Sequence, residues 1–113
     1  MARKKIEPQR LLFVFAKTES SDKNSPLLPV MYIERTLDEV PDFATIKAEA
    51  DSAGQDWQYM FVAGYLGENG VMPTVEEAEQ QMEGMVAAIQ KRSLENMFSY
   101  DAEGNPVEFL VFH

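Results

Sequence analysis

The chain has 113 residues, of which 45% are hydrophobic and 11% aromatic, a composition that supports one apolar core and excludes a disordered chain. It contains no cysteine, which excludes disulfides, thiolate metal ligands and cysteine nucleophiles together. The formal net charge is −9, and residues 11–113 carry six basic against eighteen acidic side chains, so this body repels phosphate backbones and nucleic acid is not expected except through the basic arm Arg3-Lys4-Lys5.

Residues 1–8 read as a flexible basic arm and 9–113 as a single α+β domain. No apolar segment is long enough for a secretory signal or a membrane span, so a cytoplasmic location without membrane contact is expected. Gln9 to Lys17 is apolar on both alternating faces and predicts a central strand. Thr18 to Pro29 predicts a loop. Val30 to Leu37 alternates, with Met31, Ile33 and Leu37 on one side and Tyr32, Glu34 and Thr36 on the other, as a half-exposed strand does. Pro41 is compatible with a first helical turn, and Phe43, Ile46, Ala50 and Ala53 recur at helical spacing before a stop at Gly54.

Trp57 to Leu66 predicts a second central strand, with Trp57, Tyr59, Phe61, Ala63 and Tyr65 sharing one face. Thr74 and Glu77 form a capping box. The stripe Val75, Ala78, Met82, Met85, Val86 and Ile89 then predicts a long helix to about Asn96. Met97 to Tyr100 and Val107 to His113 predict a closing hairpin about a turn at Asp101 to Pro106. The expected architecture is a two-layer α+β sandwich in the order β-β-α-β-α-β-β, a mainly antiparallel sheet of about five strands with two helices on one face. Strands apolar on both sides would leave the other face uncovered, which motivates a homodimer.

No chemistry-bearing constellation outweighs its structural alternative. Gly64, Gly67 and Gly70 match neither a dinucleotide fingerprint nor a phosphate loop, and Glu68, Glu76 and Glu77 oppose an anion there. Glu76, Glu79 and Glu83 form a ridge that reads as a solvated helix face before it reads as a metal site. His113, the single histidine, stands at the last position without an orienting partner. Glu34, Asp38 and Glu39 beside Arg35 fit a charged strand edge better than paired acid–base groups. Seven methionines fit core filling, though Met82 and Met85 also suit a protein-binding surface.

The leading expectation is therefore a non-enzymatic protein-interaction or regulatory module, homodimeric, with no cofactor and no metal. The residues expected to carry the contact are Tyr32, Glu34, Arg35, Trp57, Tyr59, Tyr65, Met82 and Met85. Two alternatives stand beside it: a small-molecule pocket or enzyme site built from Tyr59, Tyr65, Arg35 and Glu34, and an acidic decoy occupying a nucleic-acid-binding partner.

Overall fold

A computed structural model describes residues 9–18, 26–36, 39, 42–95 and 97–108. Its elements are β1 (Gln9–Thr18), β2 (Leu27–Thr36), α1 (Phe43–Ser52), β3 (Tyr59–Leu66), α2 (Val75–Gln90) and β4 (Phe98–Asp101). The strands form one antiparallel sheet in the order β2-β1-β3-β4. The two strands that are apolar on both sides, β1 and β3, take the two central places, as their patterning predicts. Phe13 lies opposite Ile33 on one neighbour and Val62 on the other, and Phe15 opposite Met31 and Met60.

The α+β class and the antiparallel sheet are as expected, but the helices do not share a face. Leu12, Val14 and Ala16 of β1 pack with Phe61 under Met82, Met85 and Ile89 of α2. Phe13 and Phe15, whose side chains point the opposite way, pack with Trp57 and Met60 under Ile46 and Ala50 of α1. The reason lies in β1 itself: five consecutive buried residues, Leu12 to Ala16, present apolar surface to both sides of a pleat, and each side needs its own cover. The molecule is thus a three-layer helix–sheet–helix arrangement. The uncovered aromatic face expected from the sequence is covered by α1 within the same chain.

β2 starts earlier than predicted, at Leu27, and runs through Pro29. The register slips beside it: Phe15 faces Met31 but Ala16 faces Pro29, so Val30 has no partner on β1. One extra residue lets Val30 and Met31 both face α1 while Leu27 returns to the α2 side. Pro29 sits without cost on this outer strand, where a missing N–H breaks no ladder on the far side.

Asp42 is the N-cap of α1, with its carboxylate accepting from the Thr45 N–H at 2.9 Å and from the Thr45 hydroxyl at 2.8 Å, so the first helical residue is Phe43; Pro41 lies outside the described residues. The capping box of α2 forms as read. Thr74 Oγ1 accepts from the Glu77 N–H at 3.1 Å and Glu77 Oε1 accepts from the Thr74 N–H at 3.0 Å. The other end of α2 is a correction, because the helix stops at Gln90 and not near Asn96. Arg92 takes the left-handed conformation at φ 57, and the Ser93 N–H reaches Ala88 O while the Arg92 N–H reaches Ile89 O. This is a Schellman stop made with arginine where glycine is usual, and it turns Leu94 back into the core under α2.

Trp57 also differs from its expected place. It precedes β3, so it falls out of the alternation and packs on the α1 side against Phe15, with ring centroids 5.0 Å apart and edge to face. Its indole N–H donates to Asp51 of α1 at 3.1 Å, and the Lys47 ammonium lies 5.4 Å from its ring centre. β4 runs Phe98–Asp101 and a turn follows as predicted, with Asp101 Oδ1 accepting from the N–H groups of Glu103 and Asn105. The Val107 N–H then returns to Ser99 O and Pro106 bridges to Tyr100. The rest of the predicted last strand, with His113, lies outside the described residues, as do the basic arm and Asp38.

Five carboxylates accept hydrogen bonds from neighbouring groups, and this holds each below its ordinary value. Thr45 lowers Asp42, Thr36 lowers Glu39, Thr74 lowers Glu77, Asn105 lowers Asp101, and Lys47 with Trp57 lowers Asp51. Their ordinary values are 3.8 for aspartate and 4.5 for glutamate. A lowered folded value means that the folded chain binds fewer protons than the unfolded one across that range, so the stabilisation is complete above about pH 5 and is lost as pH falls through the lowered values. The urea midpoint is expected to be flat from neutrality to about pH 5 and to fall below it. Asp42→Asn, which retains a capping side chain, is expected to make that fall shallower; an unchanged acid limb in this variant would contradict the assignment.

Candidate functional site

The sheet order leaves β2 as an outer strand, with no described strand on its far edge. The ladder with β1 is regular from Met31 to Thr36 and interrupted at Val30 and Pro29, and along this stretch the Glu34 carbonyl accepts from the Arg35 guanidinium and the Thr36 N–H donates to Glu39. Beside this edge, between β2 and α2, lies a half-enclosed cleft of about 660 Å³. Four consecutive β2 residues, Tyr32 to Arg35, line it. Side chains from consecutive strand residues point to opposite faces, so the wall they share is the edge of the strand backbone. Ala78, Met82 and Val86 supply an apolar floor from α2, and Glu79 and Glu83 stand at its outer rim. Tyr32 is 65% exposed, a large side chain held in solvent above an apolar floor.

Two ion pairs fix the wall. Arg10 of β1 reaches across to Glu34 with Nη1–Oε2 at 2.7 Å, and its Nε donates to Pro73 O at 2.6 Å. A single guanidinium therefore ties the outer strand to the residue just before the α2 cap, in a half-buried setting where its fork geometry suits two acceptors at once. On the opposite face Arg35 meets Glu49 of α1 through Nη2 at 2.8 Å and Nε at 3.1 Å. Glu39 closes the end of β2 by accepting from the Thr36 N–H and hydroxyl, both at 2.8 Å. Glu34 and Glu39 thus have separate structural tasks and do not form a carboxylate pair.

Of the residues expected to share a contact surface, Tyr32, Glu34, Arg35 and Met82 do come together around this cleft. The others do not join it. Trp57 is buried on the α1 side. Met85 is buried within the α2-side core. Tyr59 and Tyr65 pack against that core from β3, across β1 from the cleft. The small-molecule pocket built from Tyr59, Tyr65, Arg35 and Glu34 is therefore not assembled, because the tyrosines lie on the α2 side while Arg35 is drawn to the α1 side by Glu49. Sequence reasoning did not single out Arg10, Val75 or Val86 for this site.

The glycine-rich stretch has a purely conformational explanation. Asn69 and Gly70 both have positive φ, 54 and 77, and Glu68 bridges to Val71, the signature of a two-residue type I′ turn. Among the described residues no group of three His, Asp or Glu converges closely enough to hold a metal ion, and no helix is long and apolar enough to cross a membrane. No family model, no curated protein and no solved structure matches this chain.

Proposed function

We propose that this protein is a protein-interaction module that holds a segment of a partner chain in the cleft between α2 and the outer edge of β2. The observation that carries this reading is the coincidence of an apolar-floored cleft, an exposed tyrosine at its rim and a strand, β2, with no described strand on its far edge. A strand edge offers main-chain hydrogen bonds, while the cleft supplies side-chain selection, the combination used in β-strand addition. Tyrosine at such a rim adds contact area at little entropic cost. The sheet-face homodimer has lost its motive, because α1 occupies that face.

The cleft also falls within the size range of small-ligand sites, and this favours a second reading as a metabolite pocket. The two separate cleanly. A photoreactive benzoylphenylalanine in place of Tyr32 is expected to cross-link a specific polypeptide in cells of the source organism, with no product from the same group placed at exposed Glu103. Absence of a Tyr32-specific product, together with a small molecule that raises the melting temperature, would replace the protein-binding reading with the metabolite one.

A further inference from the structure

The turn between β3 and α2 sets an asparagine directly before a glycine. Asn69 and Gly70 are both exposed. They occupy the two central positions of the type I′ turn, which the Val71 N–H closes by donating to Glu68 O at 2.9 Å. A backbone nitrogen can attack the side-chain carbonyl of the asparagine before it, and glycine, with no Cβ to crowd the approach, leaves that path open. Ring closure makes a torsional demand: the Gly70 nitrogen must come round the Cα–C bond to the side on which Asn69 Cβ stands. A type I′ turn holds its first central residue at about φ +60° and about ψ +30°, the mirror image of type I, and Asn69 has φ 54. At that ψ the following nitrogen lies on the far side of the Cα–C bond from Cβ. The turn that calls for Asn-Gly thus also keeps the two residues from reacting.

We propose that Asn69 is a deamidation site gated by this turn. When the bond between Glu68 and Val71 breaks and ψ of Asn69 rotates, the Gly70 nitrogen gives its proton to solvent base and bonds to Asn69 Cγ. The Cγ–Nδ2 bond breaks, and the side-chain nitrogen leaves as ammonia with a proton taken from water. Water then opens the five-membered imide at one of its two carbonyls. Cleavage between the Gly70 nitrogen and Cγ gives aspartate; cleavage between that nitrogen and the Asn69 main-chain carbonyl carbon gives isoaspartate. In sum one water enters and one ammonia leaves, with nothing oxidised or reduced. Isoaspartate carries the main chain through an additional carbon, so the two-residue closure cannot re-form, and one opening leaves a permanent mark. Asn105 is exposed as well but precedes Pro106, whose nitrogen has no proton to give. Neither Asn69 nor Gly70 lines the cleft, and the site stands whether or not the cleft holds a partner.

The test incubates the full chain in mildly alkaline buffer, folded in one sample and unfolded by guanidinium chloride in the other. Digestion and mass spectrometry follow the amide-to-acid mass gain of the peptide containing Asn69, and chromatography separates aspartate from isoaspartate. Conversion to a mixture of the two is expected in the unfolded sample, and conversion about tenfold or more slower in the folded one, because local opening must come first. Asn105 serves as the internal control and should keep its amide in both. Val71→Pro, at an exposed position, removes the N–H that closes the turn and is expected to raise the folded-state rate toward the unfolded one, with circular dichroism reporting that the fold is retained. Equal rates in the folded and unfolded wild-type chain would overturn the gate, and no conversion in the unfolded chain would overturn the site. A folded Val71→Pro variant that converts as slowly as wild type would overturn the closing bond as the lock. If that variant does not fold, the wild-type comparison alone decides.

Discussion

Phe15→Ala is expected to destabilise the protein by about 3–5 kcal/mol, a large part of the total stability of a domain this size. Phe15 is fully buried at 0% exposure and packs edge to face on Trp57, at the centre of the core between the sheet and α1. Truncation removes the transfer free energy of the ring and leaves a cavity that the rigid sheet backbone closes only in part. Equilibrium urea unfolding followed by far-ultraviolet circular dichroism, which does not depend on the single tryptophan, measures the effect. Because the ring touches Trp57 directly, Phe15→Ala should combine non-additively with Trp57→Phe, whereas it should add to Ile89→Val on the other side of the sheet. Strong coupling between Phe15 and Ile89 would contradict the placement of the two helices on opposite faces.

Gly104→Val is expected to cost about 2–4 kcal/mol. Gly104 has φ +87, a conformation that a branched L side chain adopts only under strain, and a Cβ built there falls 2.9 Å from two atoms of the Phe43 ring. The turn after β4 thus rests against the first turn of α1, and any side chain must both strain the backbone and push that ring aside. Thermal melting of Gly104→Val beside Gly54→Val separates the two contributions, since Gly54 has a similar φ of +77 but open space around a Cβ. The Gly54 variant should show the conformational cost alone. Equal losses in the two variants would mean that the Phe43 contact contributes nothing.

Where local physics decides, the chain could be read directly. The capping box at Thr74 and Glu77, the two-sided apolar runs of β1 and β3, and the turn after Asp101 each depend on residues a few positions apart. The misreadings have equally definite causes. The apolar stripe runs on past Gln90 without a glycine to mark the end, because the stop of α2 is made by Arg92 in a conformation that arginine rarely takes. Pro29 reads as a breaker ahead of β2, and only the slip at Val30 explains how a strand passes through it. The two-sided apolarity of β1 did signal cover on both faces, but nothing local says that α1 and α2 divide that task. The site was half legible: Tyr32, Glu34 and Arg35 are neighbours in sequence, whereas Met82 and the Arg10 tie to Glu34 and Pro73 depend on contacts across tens of residues.

Burial of β1 on both sides makes it common to the two helix layers. A chain with two separate apolar clusters has the makings of two independently melting units, yet here both clusters are anchored on the same five residues, Leu12 to Ala16. Neither helix layer can come away without exposing one side of that strand, and the strand cannot leave without dismantling both. The two clusters are therefore bound into one cooperative transition, and the fold loses its order all at once or not at all.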